Sequence, residues 1–96
     1  MSENKCRVIA IFKPVAEHAE TVKELLFTIS HEVLLEPGCE QYQLHEAVDG
    51  RLVFVETWTT RALWQIHNDA PTVARIRAGI KDKLVGDVEV LEMYSL

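Results

Sequence analysis

Polar and apolar positions follow two rhythms along this chain, a period of two in four stretches and a helical period in three. Residues 6–13 (CRVIAIFK) are the first alternating stretch, and Pro14 ends it. Its middle is apolar on both alternating sets, Val8 and Ala10 on one and Ile9 and Ile11 on the other. That predicts a central strand covered on both faces. Residues 16–35 predict a helix, with Val22, Leu25, Leu26, Ile29 and Val33 recurring on one side. Glu36-Pro37-Gly38 should stop it.

Segments 39–48 and 51–59 are rich in Val, Leu, Phe, Tyr, Trp and Thr, and Asp49-Gly50 between them predicts a two-residue hairpin turn. Such a turn pairs Val48 with Arg51, His45 with Phe54, Gln43 with Glu56 and Gln41 with Trp58. One face would then carry Gln41, Gln43, His45, Phe54, Glu56 and Trp58, the other Tyr42, Leu44, Val53, Val55 and Thr57. Thr59 or Thr60 can cap a short helix over 61–68, and Pro71 can restart the helix over 71–84. Val73, Ile76, Ile80 and Leu84 mark its buried side. Gly79 inside it suggests a close approach, and Gly86 a helix cap. Residues 87–94 predict a last strand, either bulged or covered on both faces.

The element order β-α-β-β-α-β, in one domain over 1–96, predicts an α+β, ferredoxin-like plait with both helices on one face of an antiparallel sheet. The other face would expose a large apolar patch, so a two-fold homodimer packed sheet to sheet is expected. With 96 residues, 48% of them hydrophobic, a single packed core is within reach. A net charge of −5 argues against nucleic acid or an anionic membrane as partner. No apolar run approaches the ~20 residues of a membrane span, and the start of the chain lacks a signal-peptide pattern. Two cysteines, Cys6 and Cys39, fit a reduced, cytoplasmic protein. The four glycines are isolated, which leaves no phosphate-binding loop, and His31-Glu32 lacks the second His of a zinc-binding helix.

The run Glu36-Pro37-Gly38-Cys39, followed by Tyr42, Leu44-His45, Phe54, Glu56, Trp58 and a His nine residues on at 67, resembles the antibiotic biosynthesis monooxygenase family. The resemblance covers the whole chain in length and element order. It implies a dimeric α/β barrel with a pocket in each subunit between helices and sheet. It also implies chemistry from a family of cofactor-free oxygenases of quinols and aromatic polyketides, haem-degrading enzymes and isomerases. Haem is not expected, because the rough matches to the haem branch's essential Trp and His are His67 and Arg77. Many relatives also carry a His or aromatic residue after the proline that restarts the second helix, where this chain has Thr72.

Oxygenation without metal or flavin needs a substrate anion that reduces O2 itself. That in turn needs a base titrating near neutrality, an apolar pocket, and donors for the developing peroxide. His67 is the first candidate base and His45 the second, with Glu56 to orient a histidine. Trp58, Trp64, Phe54 and Tyr42 are candidate substrate-binding walls. The expected function is a small monooxygenase that joins a quinol or phenol to O2 with no cofactor and no metal. The alternatives are a non-catalytic binding module for a small aromatic molecule and an isomerase working through a histidine.

Overall fold

The computed structural model describes residues 4–96. Four strands, β1 (Cys6–Phe12), β2 (Cys39–Glu46), β3 (Leu52–Trp58) and β4 (Glu89–Met93), form one sheet in the order β2-β3-β1-β4. Every neighbouring pair is antiparallel. A 3-10 turn (Ala16–His18) leads into α1 (Ala19–Val33), so the helix expected over 16–35 begins and ends slightly inside those bounds. Two shorter helices, α2 (Arg61–Asn68) and α3 (Pro71–Ile80), follow the hairpin. The α+β plait foreseen from the hydrophobic pattern is the architecture found. No helix among the described residues is long and apolar enough to cross a membrane.

The core lies between the helices and one sheet face. Cys6, Val8, Ala10 and Phe12 of β1 meet Tyr42, Leu52, Phe54 and Trp58 of the hairpin, under Val22, Leu26, Ile29 and Val33 of α1 and Ile76 of α3. Gly79 lets α3 approach α1 closely, since a Cβ there would run into the Leu25 side chain. Gly38 turns the chain out of α1 with φ +82°, and a Cβ on it would lie 2.8 Å from the Leu63 Cβ.

The hairpin departs from the expected pairing by one residue. Ala47 N–H donates to the Arg51 carbonyl at 2.8 Å, and Gly50 N–H donates to the Ala47 carbonyl at 2.9 Å. Only Gly50, at φ +93°, is left-handed; Asp49 is not. The connection is therefore a three-residue loop with glycine in the bulge position, not a two-residue turn that would require positive φ at both Asp49 and Gly50. Tyr42 consequently pairs with Glu56 and Leu44 with Phe54, while His45 pairs with Val53. A slip of one flips β2. Tyr42 and Leu44 join Phe54, Glu56 and Trp58 on the helix side, and Gln41, Gln43 and His45 turn away.

Two other boundaries moved. The second long helix stops at Ile80 rather than 84, because Lys81 is extended (ψ 129°) and Asp82 takes φ +62°. The freed segment instead pairs with the residues just past β1, Val15 N–H to the Lys83 carbonyl (2.9 Å) and Val85 N–H to the Lys13 carbonyl (2.7 Å). Gly86, at φ +77°, bends the chain from that pairing into β4 and does not cap the helix. In β4, Val90 opposite Ala10 faces the helices and Leu91 opposite Ile9 faces out, so both sides are apolar without a bulge inside the strand.

Candidate functional site

The short helix α2 sets the site. Thr60 caps it by accepting the Leu63 N–H at 3.2 Å. Past the eight-residue helix the Ala70 N–H bonds the His67 carbonyl at 2.9 Å, and Pro71 starts α3. The last turn of α2 thereby points His67 inward, and only 4% of that residue is exposed.

Between the inner sheet face, α2 and α3 lies a cavity of about 180 Å³. Its floor is Val8, Ala10 and Phe12 of β1, with Val88 and Val90 beside them. Val73, Ile76 and Ile80 of α3 form the roof. The polar groups at its wall are Tyr42, Glu56, His67, Asn68 and Arg77, and Trp64 supplies an aromatic side.

His67 is held on three sides. Its Nδ1 lies 2.8 Å from Oε1 of Glu36, and the other carboxylate oxygen of Glu36 accepts the Thr72 hydroxyl at 2.5 Å. The Trp58 ring lies against the imidazole at 4.6 Å between centroids, and Tyr42 meets it edge-on at 5.5 Å. A carboxylate can only accept, so the proton of the neutral ring sits on Nδ1 and the lone pair falls on Nε2. Burial lowers the pKa of His67, and the hydrogen bond and charge of Glu36 push partly back. The result is an imidazole biased toward its neutral, basic form.

Glu56 sits across the hairpin from Tyr42 and is 4% exposed. Its Oε1 accepts the indole N–H of Trp58 at 2.9 Å. Burial lifts its pKa to about 7; the Trp58 hydrogen bond opposes this and the charge of Glu36 adds to it. Burial also raises the Tyr42 phenol, helped by Glu56 and Glu36, so Tyr42 is a neutral hydroxyl donor at ordinary pH. The wall thus holds one neutral base and one carboxyl that exchanges its proton near neutrality, a pairing suited to moving protons on a bound molecule. Burial raises the Cys39 thiol to about 12, which makes it a poor nucleophile.

Of the residues singled out from sequence, His67, Glu56, Tyr42 and Trp64 come together at the cavity wall. Trp58 and Phe54 are fully buried behind it. Trp58 bears on the site by backing His67 and bonding Glu56, and Phe54 by stacking on Tyr42 at 4.3 Å. His45, expected beside Phe54 and Glu56, is exposed on the opposite side of β2 because of the hairpin slip. Among the described residues no three His, Cys, Asp or Glu side chains gather into a metal-holding group. Sequence reasoning gave no role at this site to Glu36, Thr72, Asn68 or Arg77. Glu36 reads as a helix stop, and its partner lies 31 residues further along the chain.

Residues 6–79 match the family model described as antibiotic biosynthesis monooxygenase. A Mycobacterium tuberculosis protein named "Putative monooxygenase Rv0793" is 31% identical over 90 residues, which is 93% of this chain and 89% of the relative. The solved structure of that protein superposes with a TM-score of 0.90 at 29% identity, covering 96% of this chain and 95% of the other. PA3566 from Pseudomonas aeruginosa shares the fold, with a TM-score of 0.89 at 23% identity over 100% of this chain and 98% of its own.

Proposed function

The chain belongs to the antibiotic biosynthesis monooxygenase family, and on that footing we propose that it is a cytoplasmic, homodimeric monooxygenase that oxidises a quinol or phenol with O2 and no cofactor. The observation that carries this proposal is the clamp on His67: Nδ1 held by Glu36, the ring backed by Trp58, and the basic nitrogen left for an apolar cavity. Nε2 takes the phenolic proton, and the resulting anion is electron-rich enough to reduce O2. For a quinol the ring supplies four electrons. One oxygen atom enters at a C–H carbon, the other leaves as water, and the product is the hydroxyquinone. Glu56, partly protonated near neutrality, supplies the proton that the departing oxygen needs.

The test is O2 uptake over a panel of naphthoquinols, benzoquinols and phenols. Wild type should exceed autoxidation on at least one, and His67→Ala should lower kcat/KM on it by about 10²–10⁴. No uptake above autoxidation on any of them would overturn the proposal. The pairing of His67 with Glu56 also favours a second activity, isomerisation by proton transfer. Product formed at full rate without oxygen would select it.

A further inference from the structure

The chain has five arginines, and four are engaged. Arg7 bonds Thr57 and Ser95, Arg51 pairs with Asp49, Arg61 with Glu92, and Arg75 with Glu32. Among the described residues Arg77 makes no hydrogen bond or ion pair, in a protein with 15 acidic residues against 10 basic ones. It is also the arginine that borders the cavity. Positions two apart on a helix face different ways. Arg75 turns to Glu32 on α1, and Arg77 stands at the cavity's exposed rim with Asn68.

Depth sorts the polar groups. His67, Glu56 and Tyr42 are buried, and Arg77 is exposed. A hydroxyl can enter the buried end without carrying charge inside. A carboxylate would be costly there, but at the rim it keeps part of its hydration and meets a guanidinium fork. Size narrows the ligand further. About 180 Å³ is close to the ~150 Å³ cavity known to hold benzene. One ring with small substituents fits that space.

We propose that this site selects single-ring phenols bearing a carboxylate, the hydroxyl directed to His67 and the carboxylate to Arg77. The proposal rests on the reading that the cavity beside His67 is the substrate site, but its test does not depend on turnover. Binding of 4-hydroxybenzoate and its uncharged analogue 4-hydroxybenzamide is measured calorimetrically, without oxygen, to wild type and Arg77→Gln. Arg77 is exposed, and circular dichroism checks that the variant folds.

Wild type should bind the acid at least tenfold tighter than the amide. Arg77→Gln should bring the two within about twofold by weakening acid binding far more than amide binding. Added salt should shrink the wild-type preference. Equal affinity for acid and amide, an undiminished preference in Arg77→Gln, or no binding of either would overturn the proposal. A clear acid preference together with no O2 uptake would sink the monooxygenase reading and leave the carboxylate selection standing.

Discussion

Glu56 makes the stability of the protein depend on pH in a direction opposite to most carboxylates. An unfolded chain releases this proton near 4.5, whereas the folded protein holds it to about 7. Between those values the folded state binds more protons, so stability falls as pH rises, and the penalty is complete above 7. For a buried group the loss is up to ~3 kcal/mol. Glu56→Gln still offers an oxygen to the Trp58 indole but does not titrate. Denaturant titrations at pH 5 and pH 8 should show wild type losing more stability than the variant across that interval. His67 has the reverse slope, because its lowered pKa penalises the folded state as pH falls, and it is present in both proteins. A second expectation concerns Glu36. Its charge pushes the His67 pKa upward against burial, so Glu36→Gln, which keeps an acceptor for Nδ1–H, should lower that pKa further. NMR titration of His67 reads this directly, and the acid limb of kcat/KM should move the same way. The types of residue that line this cavity were legible in the sequence, since an imidazole, a carboxyl, a phenol and an indole fall within 26 positions. The Glu36–His67 bond was not, because a helix stop and a later helix end are brought together only by tertiary packing.

At the scale of elements the periodicities placed every strand and helix, and the errors fell where chain direction changes. Asp-Gly suits a two-residue and a three-residue hairpin alike, since glycine at positive φ serves both. Nothing local distinguishes them, yet the difference decides which face Tyr42 and His45 occupy. The second long helix was overextended for a related reason. Leu84 continues the apolar spacing of α3, but its backbone bridges to Pro14 instead of continuing the helix, and its side chain still packs against the core. The expected close approach at Gly79 is found, and it has a measurable partner. Gly79→Ala gains helix propensity of about 1 kcal/mol but drives a methyl into Leu25, and overpacking costs ~1–3 kcal/mol. The net should be a modest loss of stability. In a double-mutant cycle with Leu25→Ala, the pair should be less destabilised than the sum of the singles by roughly 1 kcal/mol. Additive effects would mean that α1 and α3 separate freely at this point.

The whole molecule poses a question of surface. Helices cover one face of the sheet only. On the other, Ile9 and Ile11 of β1 lie beside Val55 and Val53 of β3, all four half-buried in the single chain, and Leu91 on β4 extends the strip with 55% of its surface open. Arg7, Thr57, Gln41, Gln43 and His45 surround this strip with groups that tolerate water. An apolar centre with a polar border, repeated identically on a second copy, is self-complementary about a two-fold axis. A stable pair of this kind ordinarily buries ~800 Å² on each side. Val55 is the position to test, because β3 runs inside the sheet and Val55 faces away from its own core. Val55→Glu should leave the monomer's helix-side packing intact and put a charge at the centre of the proposed contact. Sedimentation should show wild type at twice the chain mass at micromolar concentration and the variant at the chain mass with its secondary structure retained. Wild type sedimenting as a single chain would mean that the strip of Ile and Val stands in water. The sheet's two-sided hydrophobicity would then need an explanation other than self-association.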